Sequence, residues 1–238
     1  MKLLRHLAPV LLISLLGSAA LSAQTITAPN LATLPVPRNE WIVRHEGFNA
    51  IAQKGGVDLL FVGDSITDGW RGAGKTLWAE RYEPLKAANF GIGGDKTEHV
   101  LWRLQNGNLD GIQPKVAVLM IGTNNTARDT APQIAEGVTA IVNEIHKRCP
   151  ATKVLLLAVF PRAEKADNPL RAKIAEINGT IAKLDDGRKV FFLDINQKFL
   201  EADGTLPKSI MPDALHPNAA GYQIWADAMQ EKVTALLK

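Results

Sequence analysis

Cysteine is nearly absent: Cys149 is the only one in 238 residues. A single thiol cannot close an internal disulfide, so a stapled scaffold is excluded and stability must come from a core. Cys149 stands before Pro150 at the end of a helical pattern, where a half-buried small hydrophobe is its plainest role. Charge of one sign is scarce too. The formal net charge is +3, Lys2 and Arg5 contribute two of these charges, and no block of like charges occurs. Nothing therefore points to nucleic acid or to an anionic membrane as a partner. There is no internal repeat and no low-complexity tract, and the apolar run Leu7 to Leu16, whose alternative reading is a single membrane anchor, is too short to span comfortably, which takes about 20 residues.

What is present begins with a basic, then apolar, then small-residue stretch. Lys2 and Arg5 are followed by apolar Leu7 to Leu16 and by small residues from Gly17 to Ala23. That pattern is a secretory signal peptide over 1–23, with cleavage expected near Ala23. Export to a secreted or periplasmic location follows, with no lipid-attachment cysteine and no stable membrane anchor after cleavage. Without Lys2 and Arg5 the net charge falls to +1. Gln24 to Pro37 carries three prolines and no periodicity, which reads as a linker over 24–40.

With 46% hydrophobic and 21% charged residues, the remainder, 41–238, reads as one globular domain. Trp41, Phe48 and Ile51 suggest one face of a first helix, stopped by Gly55-Gly56. Five short apolar runs follow: Val57 to Val62, Ala87 to Phe90, Val116 to Ile121, Val154 to Phe160 and Val190 to Leu193. Continuous apolar runs suit parallel strands buried on both faces. Helical patterns lie between them, near 75–83, 96–105, 131–148 and 169–184, and a last one runs from about Pro217. Such alternation predicts an α/β fold, a three-layer α/β/α sandwich around a parallel sheet.

In such a sheet ligands sit beyond the carboxyl ends of the strands. The residues there are Gly63-Asp64-Ser65, Gly91 to Asp95, Gly122-Thr123-Asn124-Asn125, Phe160-Pro161-Arg162, Asp194, and Asp213 to Asn218 ahead of the last helix. Gly69 to Thr76 also fits the phosphate-loop pattern G-x-x-x-x-G-K-[ST]. A phosphate loop needs its first glycine at the strand end, whereas Gly69 comes later and beyond Asp64 and Asp68, which would repel polyphosphate. A flexible loop leading into a helix, with Lys75 solvated, is the better reading.

Ser65 at a sharp turn suits a nucleophile. A serine needs a base, a group that orients the base, and donors for the oxyanion. His216 is the candidate base, with Asp213 three residues earlier to hold its ring; the alternative is that Asp213 or His216 caps the last helix. The Ser65 and Gly94 backbone N–H groups and the Asn124 amide are the candidate oxyanion donors. Ile66, Thr123 and Leu215 adjoin these residues and are the candidates to crowd an acyl pocket. His45, His99 and His146 lie in helical patterns away from strand ends.

Gly63-Asp64-Ser65, Gly94, Gly122-Thr123-Asn124 and Asp213-x-x-His216, in this order, resemble the four blocks of the SGNH/GDSL hydrolase family. Asn89 to Asp95, His99 to Leu104 with Asn106-Gly107, and Asn168 to Arg171 resemble its platelet-activating-factor acetylhydrolase catalytic-subunit branch more closely still. The resemblance runs from about Trp41 to the C-terminus. It implies a flavodoxin-like sheet of five parallel strands, and a serine esterase using Ser65, Asp213 and His216 with no metal and no cofactor. Ile66 stands where the family usually has leucine. An exported acetylesterase acting on a small-molecule or glycan ester is the expected function, with a homodimer left open. A short-chain lipid acylhydrolase is the nearest rival. A non-catalytic glycan-binding module and a phosphate-loop NTPase are the alternatives from other classes.

Overall fold

A computed structural model describes residues 28–238; the expected signal peptide lies outside the described residues. Five strands, β1 (Leu59–Gly63), β2 (Ala87–Gly91), β3 (Val116–Met120), β4 (Lys153–Leu157) and β5 (Val190–Leu193), form one sheet in the order β2-β1-β3-β4-β5. Every pairing is parallel, with Gly63 opposite Gly91 on one side and Met120 on the other. The helices are α1 (Ile42–Lys54), α2 (Ser65–Asp68), α3 (Lys75–Arg81), α4 (Thr97–Arg103), α5 (Ala131–Arg148), α6 (Pro169–Ile181) and α7 (Ala219–Leu237).

The two-residue repeat of a strand divides each apolar run between two cores. Leu60, Val62, Phe90, Leu119 and Leu156 pack with α1, α4, α5 and α6. Leu59, Phe61, Val118, Met120 and Leu157 pack on the other face with Trp70 and with Tyr222, Trp225, Met229 and Val233 of α7. A sheet covered on both faces explains why its strands read as unbroken apolar runs.

Two local expectations are corrected. The buried face of α1 is His45, Phe48 and Ala52, while Ile51 is 43% exposed. A polar residue on the core side hid the true stripe: His45 is buried because its Nδ1 meets the Asn108 amide at 3.1 Å. The described part of the expected linker, 28–40, is docked rather than free. Ala32 is fully buried, and its carbonyl accepts from the Thr97 hydroxyl at 2.8 Å. The Asn30 amide donates to the Gln133 carbonyl at 3.0 Å, and the Val36 N–H donates to the Glu98 carbonyl at 3.3 Å.

The segment Gly69 to Thr76 is a packing device. A Cβ on Gly69 would lie 2.0 Å from the Tyr222 hydroxyl, and one on Gly74 would lie 2.5 Å from the Trp70 ring. Glycine is required because two buried aromatics press on the loop, and Lys75 points to solvent at the start of α3.

Candidate active site

In the order β2-β1-β3, successive connections leave β1 and β3 toward opposite sides, which opens a crevice at their carboxyl ends. Ser65 follows β1 and Asn124 follows β3. Asp64 caps α2, its Oδ1 accepting from the Ile66 N–H at 3.0 Å. The Tyr222 hydroxyl donates to the Ile66 carbonyl at 2.6 Å, so α7 fastens the short helix that begins with Ser65. Asp64 Oδ2 is buried with no partner among the described residues. Burial pushes this carboxyl up to about 7; the Ile66 N–H opposes the rise and the Asp95 charge adds to it.

His216 stands in the segment before α7. Its Nε2 is 2.9 Å from Ser65 Oγ and its Nδ1 is 2.6 Å from Asp213 Oδ2. An ionised carboxylate only accepts, so Nδ1 carries the hydrogen and Nε2 is left to accept from the Ser65 hydroxyl. Asp213 Oδ1 also accepts the Leu215 and His216 N–H groups, at 3.1 and 2.8 Å. Burial acts to raise the Asp213 carboxyl, but the His216 ring and these backbone donors outweigh it and hold it below its ordinary range. The helix-cap alternative is set aside, since Asn218 caps α7 by accepting the Gly221 N–H at 3.1 Å.

The Asp213–His216 segment is tied to the connection after β4. The Ala163 N–H donates to the Ala214 carbonyl at 2.9 Å, and both alanines have left-handed backbones, φ 71° and 56°. Such positions cost about 1–3 kcal/mol each and persist where surrounding contacts impose them. Neighbouring Arg162 donates to the Thr123 carbonyl at 3.2 Å, which joins this connection to the one after β3.

The Gly91–Asp95 turn lies beside Ser65: a Cβ built on Gly93 would be 3.9 Å from that of Ser65. Gly94 has φ 78°, a left-handed backbone that only glycine adopts without strain. The Asn124 amide donates to the Asp95 carbonyl at 2.9 Å, which leaves its second N–H unassigned. Among the described residues, the backbone N–H groups of Ser65 and Gly94 donate to no protein acceptor.

Of the acyl-pocket candidates, Thr123 is 1% exposed with a buried, unpartnered hydroxyl, and Leu215 is half-buried. Ile66, also 1% exposed, packs into the core with Trp70 and Tyr222, so it lies below the crevice as floor. His45, His99 and His146 lie on α1, α4 and α5. Asn125 carries a role that sequence reasoning missed. Fully buried, it accepts the Thr97 N–H at 3.0 Å and donates to Glu98 and Asp129 at 3.0 and 2.8 Å, anchoring the β3 turn to α4. Two adjacent asparagines look alike in sequence, and only burial and partners separate them: Asn124 is half-buried and Asn125 fully buried.

Residues 61–224 match the GDSL-like lipase/acylhydrolase family model. The chain is 40% identical over 201 residues to platelet-activating factor acetylhydrolase IB subunit alpha2 of Rattus norvegicus, covering 84% of this chain and 86% of that protein. It is 37% identical to the alpha1 subunit of Homo sapiens, covering 87% and 91%. Among solved structures it resembles a GDSL-like lipase from Bacteroides thetaiotaomicron, with TM-score 0.65, 22% identity, and coverage of 81% and 97%. An acetylxylan esterase from Geobacillus stearothermophilus matches with TM-score 0.60, 19% identity, and coverage of 75% and 94%. These two likenesses concern the fold. Family match and relatives together make the protein a carboxylic ester hydrolase, and the chain belongs to the GDSL-like lipase/acylhydrolase family.

Proposed function

We propose that the protein is an exported serine esterase that removes short acyl groups, chiefly acetyl, from carbohydrate esters. The observation that carries the chemistry is the relay Ser65 Oγ–His216 Nε2–Asp213, with contacts of 2.9 and 2.6 Å. Ser65 Oγ attacks the ester carbonyl as His216 takes its proton, and Asp213 stabilises the charged ring. The oxyanion is met by the Ser65 and Gly94 N–H groups and by the free N–H of Asn124. His216 returns the proton to the leaving alcohol, and water then hydrolyses the acyl-enzyme by the same base. Thr123 and Leu215, above the floor made by Ile66, limit the length of the acyl group.

Preference for acetyl is supported by the relatives' names, which include acetylhydrolases and an acetylxylan esterase. A carbohydrate alcohol suits the open side of the site, where the His216 and Asp213 side chains are 41% and 55% exposed. Export rests on the residues before Gln24. A second reading, a short-chain lipid acylhydrolase, is favoured by the names of the relatives at 37–40% identity.

The deciding experiment labels the purified protein with a fluorophosphonate and identifies the modified peptide. Labelling at Ser65, loss of ester hydrolysis in Ser65→Ala, and faster release of acetate from acetylated xylan than from a 2-acetyl phospholipid are expected. Labelling elsewhere, or an active Ser65→Ala, overturns the reading of the site; the reverse substrate order selects the lipid reading. The protein should be recovered from the cell exterior or periplasm with an N-terminus near Gln24; recovery from the cytoplasm alone would overturn export, and a retained Met1 would overturn cleavage.

A further inference from the structure

One peptide plane carries the Gly94 N–H at one edge and the Gly93 carbonyl at the other. In a trans peptide these point in opposite directions, so whatever holds the carbonyl aims the N–H. The holder is Arg38, in the segment ahead of α1. Its Nη1 donates to the Gly93 carbonyl at 2.7 Å and to Asp95 Oδ1 at 3.1 Å. A Cβ built on Gly94 would stand 3.2 Å from the same nitrogen, so the guanidinium lies directly against the turn.

The rest of the turn is held by other residues. Arg103 Nε donates to Asp95 Oδ2 at 2.9 Å, and Asn124 holds the Asp95 carbonyl. Asp95, 1% exposed, thus already has the buried Arg103 as its counter-charge. The contact that Arg38 alone supplies to the turn is the one to the Gly93 carbonyl. Two successive glycines resist rotation less than any other pair, so the orientation of their shared plane depends on an outside hold. A cation on a carbonyl also polarises the peptide and strengthens its N–H as a donor. Arg38 is itself located by Glu40, which accepts from Nε at 3.0 Å, and by the Trp41 ring, whose centroid is 5.8 Å from the guanidinium carbon.

We propose that Arg38 is a positioning residue for ester hydrolysis: it orients and polarises the Gly93–Gly94 peptide so that the Gly94 N–H meets the oxyanion. This rests on the Ser65 reading given above. It assigns part of the oxyanion machinery to a segment that the sequence presents as a linker.

The test compares the full chain with Arg38→Ala, Arg38→Gln and, as a control that removes an exposed cation elsewhere, Lys75→Ala, on p-nitrophenyl acetate. Active sites are counted by fluorophosphonate labelling. Binding of an aryl trifluoromethyl ketone, which adds a serine oxygen to form a tetrahedral oxyanion, is the second readout. In Arg38→Ala, kcat per labelled site should fall about 10- to 100-fold with KM within about twofold. Ketone affinity should fall by the same factor as kcat/KM, Arg38→Gln should lie between, and Lys75→Ala should stay near wild type. Unchanged kcat per site, or a fall in kcat with ketone affinity unmoved, overturns the proposal. Should Arg38→Ala fail to fold, wild-type kcat and ketone affinity in Arg38→Gln overturn it alone. Ser65→Ala separates the two levels. If it is active, the triad itself is wrong; if it is inactive beside a wild-type Arg38→Ala, only the role of Arg38 fails.

Discussion

Ser65 and His216 are 151 positions apart in the chain and meet at 2.9 Å. One stands on the first turn after β1, the other just before α7. Their contact therefore exists only when the last helix has packed on the sheet, with Tyr222 of that helix bonded to the carbonyl of Ile66.

The orienting role of Asp213 predicts that Asp213→Asn lowers kcat by about 10²- to 10⁴-fold with little change in KM. An amide in place of the carboxylate favours the wrong ring tautomer. Asp213 is 55% exposed, which lets water substitute in part and favours the lower end of that range. Steady-state kinetics on p-nitrophenyl acetate would show this, and a loss below tenfold would remove Asp213 from the relay.

Asp64 should make stability fall as pH rises. Its folded carboxyl titrates at about 7 against an ordinary value of 3.8. Between these values the unfolded chain has released a proton that the folded chain still holds, so rising pH favours unfolding. Above about 7 the effect is complete, and about 4 kcal/mol is its ceiling. Asp64→Asn keeps an oxygen for the Ile66 N–H and removes the titration. Urea unfolding at several pH values should show wild type losing stability relative to Asp64→Asn between about pH 4 and 7. A difference that does not vary with pH would contradict the assignment.

The glycine-rich segment should respond to volume and not to charge. Gly74→Ala drives a methyl group toward the Trp70 ring and should cost about 1–3 kcal/mol in a denaturation experiment. Lys75→Ala, at an exposed position, should change stability by less than about 0.5 kcal/mol and leave esterase activity intact. Loss of activity in Lys75→Ala would revive a phosphate-binding role for the loop.

Crowding by Thr123 and Leu215 predicts a falling kcat/KM along a series of p-nitrophenyl esters from acetate to octanoate. Leu215→Ala should flatten that series by relieving one wall. Octanoate cleaved faster than acetate by the wild-type chain would rule out a short-acyl pocket.

The sequence by itself determined the layers and the chemistry-bearing turns. Buried parallel strands leave continuous apolar runs, helices leave their own period, and the connections expose Ser65, Gly94, Asn124, Asp213 and His216 as the unusual residues at strand ends. These signals are local, because burial and turn chemistry act on neighbouring residues. Tertiary structure decided what locality cannot hold. The order β2-β1-β3-β4-β5 chooses which strand ends share a crevice. The purpose of Gly69 and Gly74 became visible only with Trp70 and Tyr222 pressed on them. The sequence gives no sign that His45 faces the core, where Asn108 meets it. Arg38, in a proline-rich stretch without periodicity, offers no sequence sign that it reaches Gly93, 55 positions away. A long cationic side chain takes its partner from whatever the fold brings within reach, and that choice is made in space.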